Sequence, residues 1–342
     1  MATFRKILGA AGVSALMLAA GPAFAEYPEK SVTYIIPFGP GGESDITARM
    51  QQEFFPKYAN GQDVVIQYKP GGGGSQAWAQ LNDMPADGYT IMGANVPHTL
   101  LQPMIADAGY KTDDLAVVHY FHYTPDAIVV SKDSEFETLQ DLIDYAKENP
   151  GAVTFAGSGS NSANHLMQQQ LDKLAGITTT YVPFKGTGAA VQAIMGNQTT
   201  AGATYSTVGV NYPETRTLAV AADERLPSLP DVPTFKEAGI DWTGGAYRGV
   251  AVPAETPDDI KRKVSEIISA INADPDFRRK MEEGGFVLTP IDMDAMPEFL
   301  AEQKAKYRGI AEEMGLVEPG QGQSQAQADD ASAGQATQSQ TQ

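Results

Sequence analysis

Three glycine-rich turns, each following an apolar β-run and opening a helical pattern, constrain this chain more than any other feature. They are Pro37-Phe38-Gly39-Pro40-Gly41-Gly42-Glu43-Ser44-Asp45, Pro70-Gly71-Gly72-Gly73-Gly74-Ser75 and Gly157-Ser158-Gly159-Ser160-Asn161-Ser162. Glycine admits backbone conformations and close approaches denied to other residues. A helix start adds unpaired N–H groups at the positive end of its dipole, so such a turn can hold an anion without a charged side chain. Each turn alone is also readable as a plain tight connection. None carries the Lys-Ser/Thr of a Walker loop, and none has the G-x-G-x-x-G spacing of a dinucleotide fingerprint.

Between these turns, β-rich runs alternate with helical patterns. Strands are expected at 31–37, 64–68 and 89–94, with helices at 46–58 and 76–82. A second series has strands at 127–130, 153–156, 179–182, 200–205 and 217–220, and helices at 139–148, 161–175 and 189–196. One more strand at 246–252 precedes helices at 257–273, 275–283 and 293–314. Strand–helix alternation of this kind builds parallel sheets with right-handed crossovers. Two such series with a returning strand predict two lobes, with the chain crossing more than once and a cleft between them suited to a small molecule. Hinges are expected at 119–125 and 240–247.

The chain has 342 residues and a formal charge of −18, ample for two cores and unsuited to nucleic acid or an anionic membrane surface. Its start, with Arg5 and Lys6 before an apolar run at 7–20 and Ala23-Phe24-Ala25, reads as a signal peptide over 1–25, cleaved after Ala25. The run falls short of the about 20 residues that a membrane span needs. With no cysteine, disulfides, thiol catalysis and a lipid-anchored cysteine are excluded, so free diffusion in a periplasm is expected. Residues 318–342, rich in Gly, Gln, Ser and Ala, are read as a disordered tail.

The segments YPEKSVTYIIPFGPGGESD, VVIQYKPGGGGSQAWAQ, ADGYTIMGAN, FAGSGSNSANHL, TYVPFKGTGAA and LPSLPDVPTFKEAGI are similar to those of the tripartite tricarboxylate transporter receptors, the Bug or TctC-like family. They keep the family's order over about residues 27–240, and 250–314 fits its C-terminal helices. The resemblance implies a type II periplasmic-binding (Venus flytrap) fold, with domain 1 formed by 26–122 and 241–317 and domain 2 by 123–240. It implies a monomer without cofactor or metal that passes a di-, tri- or aromatic carboxylate to membrane subunits of a secondary transporter. Carried over by position, Phe38, Gly41, Gly42 and Asp45 would hold one carboxyl group, flanked by Gly74 and Ser75. Ser158, Gly159, Ser160 and His165 would hold another, with Lys185 and Gly186 lining the cleft. The chain departs from the family at Ala201-Gly202-Ala203-Thr204, where an acid is common, between Tyr205 and Thr217, and at Gly245-Ala246-Tyr247-Arg248-Gly249, where Trp or Phe is usual.

Arg248, on a strand entering the cleft, is a candidate bidentate fork for a carboxylate; a surface ion pair is the alternative. Asn95 and Tyr205 are candidate lining residues, as are Trp78 and His98, for which core and loop roles compete. His165 is read as capping its helix or making a supporting hydrogen bond behind the site, and His119 and His122 as structural. An exported hydrolase using Ser160 and His165 is disfavoured because the G-x-S-x-G elbow is absent. A ligand sensor feeding a two-component receptor would have the same sequence features as a transport receptor.

Overall fold

The computed structural model describes residues 27–319. The leader and all but the first two residues of the tail lie outside the described residues. The first lobe begins with β1 (Val32–Ile36), α1 (Glu43–Tyr58), β2 (Val64–Tyr68), the short α2 (Ser75–Trp78), β3 (Thr90–Val96) and α3 (His98–Ile105). A long strand, β4 (Ala116–Ser131), leads into α4 (Leu139–Glu148), β5 (Thr154–Gly157), α5 (Ala163–Ala175), β6 (Thr180–Pro183) and α6 (Thr187–Met195). There follow β7 (Ala201–Tyr205), α7 (Thr207–Asn211), β8 (Thr215–Val220) and β9 (Gly245–Val252). The chain closes with α8 (Asp258–Ala273), α9 (Pro275–Glu283), β10 (Val287–Ile291) and α10 (Met296–Glu313).

Two sheets share one strand. β2, β1 and β3 run parallel, and β9 joins β3 antiparallel. β9 then pairs with the first part of β4, from Ala116 to Pro125. From Asp126 onward β4 pairs instead with β7 and β8, and β7 continues parallel through β5 to β6. At 3.3–3.4 Å per residue its 16 residues extend about 50 Å, enough to serve both sheets. Beside this junction the second crossing runs through Gly244 and Gly245: the Asp126 N–H donates to Gly244 O (2.9 Å) and Ala221 N–H to Asp126 O (2.7 Å).

Each sheet has its own core. Ile36, Phe55, Trp78, Ile91, Val250 and Phe277 are among the apolar residues packed in the first lobe. Ile128, Leu142, Phe155, Leu171, Ala203 and Phe235 pack in the second. Local signals place the helices: Thr138 caps α4 through Asp141 N–H (3.2 Å), while Asp141 returns to Thr138 N–H (2.9 Å). Ser162 caps α5 and Asp274 caps α9, with Pro275 in its first turn.

The structure corrects the sequence expectations in several places. The helix expected at 76–82 is one turn, α2, followed by a 3-10 turn at Leu81–Asp83. α3, α7 and β10 were not anticipated; Pro103 inside α3 obscures its helical pattern, and the edge strand β10 contains Pro290. The strand expected at 127–130 is the last part of β4, whose first part belongs to the other sheet.

Candidate functional site

The glycine turns meet across the two lobes, backbone against backbone. Gly39 N–H donates to Lys185 O at 2.7 Å, and Tyr212 OH donates to Gly41 O at 2.9 Å. A Cβ added to Gly159 would lie 2.7 Å from Gly73 Cα, so the second and third turns touch where only glycine fits. Gly41 has φ +74° and its N–H donates to Asp45 Oδ2 at 2.7 Å. Asp45 also accepts Tyr68 OH (2.6 Å) and pairs with Arg49 (2.9 Å), so its carboxylate braces the turn from behind.

Beneath these contacts lies a buried cavity of about 10 Å³, the space of roughly one water. Phe38, Gly42, Glu43 and Ser44 line it from the α1 start, Asn95 and His98 from the end of β3, and Arg248 from β9. Ser158, Thr187 and Tyr205 complete it from the second lobe. The pairing of β3 with β9 sets Asn95 directly opposite Arg248. Phe38 packs edge-on against His98 (5.6 Å) and Trp78 (6.1 Å), which holds the wall.

Arg248 and Glu43 form an ion pair at 3.7 Å, each side chain only 4% exposed. The guanidinium stacks over the Tyr205 ring at 4.2 Å and donates through Nη1 to Ala246 O at 2.9 Å, while its Nε has no partner. Glu43 accepts the Thr124 hydroxyl at 3.0 Å and the hydroxyl of Thr207, a residue of the other lobe. Burial raises the Glu43 pKa, and Arg248 and Thr124 oppose that rise. Burial likewise lifts Asp126, a second acid interacting with Arg248, to about 8. It lowers His98 to about 3, and nearby Arg248 adds to the effect, so this imidazole is neutral at physiological pH.

Outside the cavity, sharing Phe38 and Ser158 with it, runs a groove of about 530 Å³. The Pro70–Gln76 turn forms one side of it, and Ser158–Asn161 with Pro183–Lys185 the other. Of the expected site residues, the cavity gathers Phe38, Gly42, Asn95, Ser158, Tyr205 and Arg248. The groove gathers Gly74, Ser75, Gly159, Ser160 and Lys185. Gly41, Asp45, His165 and Gly186 line neither.

His165 stacks on Tyr181 (4.4 Å) and accepts Asn161 N–H through Nδ1 (3.1 Å), instead of approaching Ser160. Trp78 is core, its Nε1–H bonded to Gly93 O at 2.8 Å. His119 and His122 are fully buried in β4, and burial holds both pKa values down. Sequence reasoning missed Glu43, Ser44 and Thr187. Glu43 had a signal, an acid directly after Gly41-Gly42 at the helix start, which reads equally as an ordinary dipole-complementing residue.

Two lobes bridged by β4 and β9, with helix N-termini converging on the cleft between them, define a periplasmic binding protein of the type II (Venus flytrap) class. The chain belongs to the tripartite tricarboxylate transporter family receptors, whose model matches residues 48–316. It is 30% identical over 319 residues to a UPF0065 protein of Cupriavidus necator, covering 90% of this chain and 95% of the relative. It superposes on the periplasmic binding protein BugD with a TM-score of 0.80 at 25% identity, over 85% of this chain and 99% of BugD. An R. palustris protein solved with adipate has the same fold, with a TM-score of 0.79 at 24% identity over 85% of this chain and 99% of that one. The protein is thus a solute-binding receptor and not an enzyme, and the hydrolase alternative falls away.

Proposed function

We propose that the protein captures a small organic carboxylate between its lobes in the periplasm and delivers it to membrane subunits of a tripartite tricarboxylate-type transporter. The observation that carries this reading is the convergence of glycine turns from both lobes on one cavity, beside the N-termini of α1 and α6 and next to a buried arginine. The adipate-bound neighbour supports the ligand class. Export after cleavage at Ala25 supplies the compartment, and the protein acts as a monomer.

Domain 1 comprises 26–122 and 241–317, domain 2 comprises 123–240, and ligand draws them together by bending at the β4 and β9 crossings. Closure is favoured only by the extra affinity of the closed form for ligand. Gly42 and Ser158–Ser160 contact the carboxylate, with Gly74, Ser75 and Lys185 forming the approach and Gly41 and Gly186 shaping the turns. Asp45 and His165 support the turns from behind.

The test is thermal-shift titration of residues 26–317 with mono-, di-, tri- and aromatic carboxylates. Ligand at about 100 times its dissociation constant adds roughly 2.7 kcal/mol of stability, a visible rise in melting temperature. A folded protein whose melting point no carboxylate moves would refute the reading.

A further inference from the structure

We infer that the ligand is a zwitterion, carrying one ammonium group for Glu43 and Asn95 beside one carboxylate for Arg248 and the Ser158–Ser160 turn. The inference rests on the carboxylate reading above and narrows it. Arg248 is the buried cation of the cavity, and its charge is already balanced by Glu43. A dicarboxylate seated here would bring two negative charges to a site whose arginine has a resident acid. It would set one of its carboxylates against the Glu43 carboxylate away from water, where like-charge repulsion is least screened.

The geometry of the pair points the same way. At 3.7 Å it is longer than the 2.7–2.9 Å of a charge-assisted hydrogen bond. Arg248 has an unpartnered Nε donor, and the Glu43 carboxylate, with about four lone-pair sites, accepts two hydroxyls beside the guanidinium. A carboxylate and an ammonium seated alongside, when the lobes part and widen this one-water cavity, complete both and give alternating charges in place of a repulsive cluster.

The independent observation is Asn95. This residue is 1% exposed and lines the cavity beside Glu43; its Nδ2 donates to Ser44 Oγ at 3.3 Å and its Oδ1 accepts nothing. A buried acceptor without a donor is costly, and an ammonium supplies three donors. The neutral His98 adds no competing positive charge, and its Nδ1 also lacks a partner. The lining of the outer groove carries both Lys185 and Asp107, so its charge is mixed and does not single out a second carboxylate.

Calorimetric titration of the folded protein at pH 7 with length-matched pairs decides the matter: succinate with β-alanine, glutarate with 4-aminobutanoate, adipate with 5-aminopentanoate, and propanoate with alanine. In at least one pair the amino acid is expected to bind tenfold or more tightly, and Glu43→Gln to abolish that preference. Asn95→Ala, expected to reduce the preference, serves if Glu43→Gln does not fold. An amine-free acid that binds at least as tightly in every pair overturns the zwitterion assignment and leaves the carboxylate reading standing. Silence from both members of every pair and from the wider carboxylate panel overturns both. An amino-acid preference that survives intact in both variants overturns the seat at Glu43 and Asn95.

Discussion

Gly188, in the first turn of α6, and Pro40, in the first glycine turn, face each other across the cleft so closely that a Cβ on Gly188 would lie 2.5 Å from Pro40 O. It would also lie 2.7 Å from Gly41 C, and both obstacles are backbone. The contact joins the two lobes at the roof of the cavity. Gly188→Ala is therefore expected to hinder closure while leaving each lobe folded. Affinity for the ligand should fall about tenfold, roughly 1.4 kcal/mol, with the ligand-free melting point little changed. Calorimetry with small-angle scattering checks this, and wild-type affinity in the variant would show that this contact does not gate closure.

Asp45 is expected to act through the turn it braces. Asp45→Ala leaves the Gly41 N–H and Tyr68 OH without their acceptor, at a cost of about 1–3 kcal/mol in stability. Ligand affinity should weaken as well, because Gly41 loses the bond that orients it. Urea unfolding and titration of the same preparation measure both. A weakened affinity at full stability would instead make Asp45 a direct ligand contact.

Asp126 predicts a pH dependence of known sign. In the folded protein its carboxyl keeps its proton up to about pH 8, whereas the unfolded chain releases it near 3.8. The unfolded state binds fewer protons across that window, so this group's contribution falls as pH rises, at up to about 1.4 kcal/mol per unit, and then levels off. Asp126→Asn should remove that slope, so its stability relative to wild type increases between pH 4 and 8. Chemical denaturation at several pH values tests this, and parallel curves for the two proteins would exclude it. His98 acts on the acid side with the opposite sign. Its pKa is lowered from 6.5 to about 3, so its contribution is present above pH 6.5 and is lost as pH falls through that range. His98→Gln should therefore flatten the acid limb.

Lys185 contributes to the cleft in two separable ways. Its carbonyl receives Gly39 N–H across the lobes, a bond that survives truncation of the side chain. Its exposed ammonium lines the outer groove of an acidic protein. Lys185→Ala is expected to slow association about threefold at low salt and to blunt its salt dependence, with little effect on dissociation. Stopped-flow binding at several ionic strengths distinguishes this from direct contact, which would raise the dissociation rate.

Most of the fold was legible because its signals are local. The apolar run at β1 and the glycines after it specify a strand, a turn and a helix start within a short stretch of chain. Capping by Thr138, Ser162 and Asp274 likewise depends on residues no more than three positions away. The same holds for the glycine turns as candidate anion seats. Gly41 adopts a left-handed backbone, φ +74°, which its residue type permits without steric cost.

What the tertiary structure decided is the meeting of residues distant in the chain. Glu43 and Arg248, about 200 positions apart, read separately as a helix-start acid and a strand arginine. The β3–β9 pairing and the packing of α1 bring them to one cavity and turn two ordinary charges into the site's main electrostatic feature. The double membership of β4 has the same origin: the stretch from Ala116 to Ser131 is buried along most of its length, and only its neighbours β9, β7 and β8 divide it between two sheets. Residue types set which backbone shapes and helix ends are available, since those energies arise within a few bonds. Which charged groups share a buried site depends on register and packing between distant segments, which no local pattern encodes.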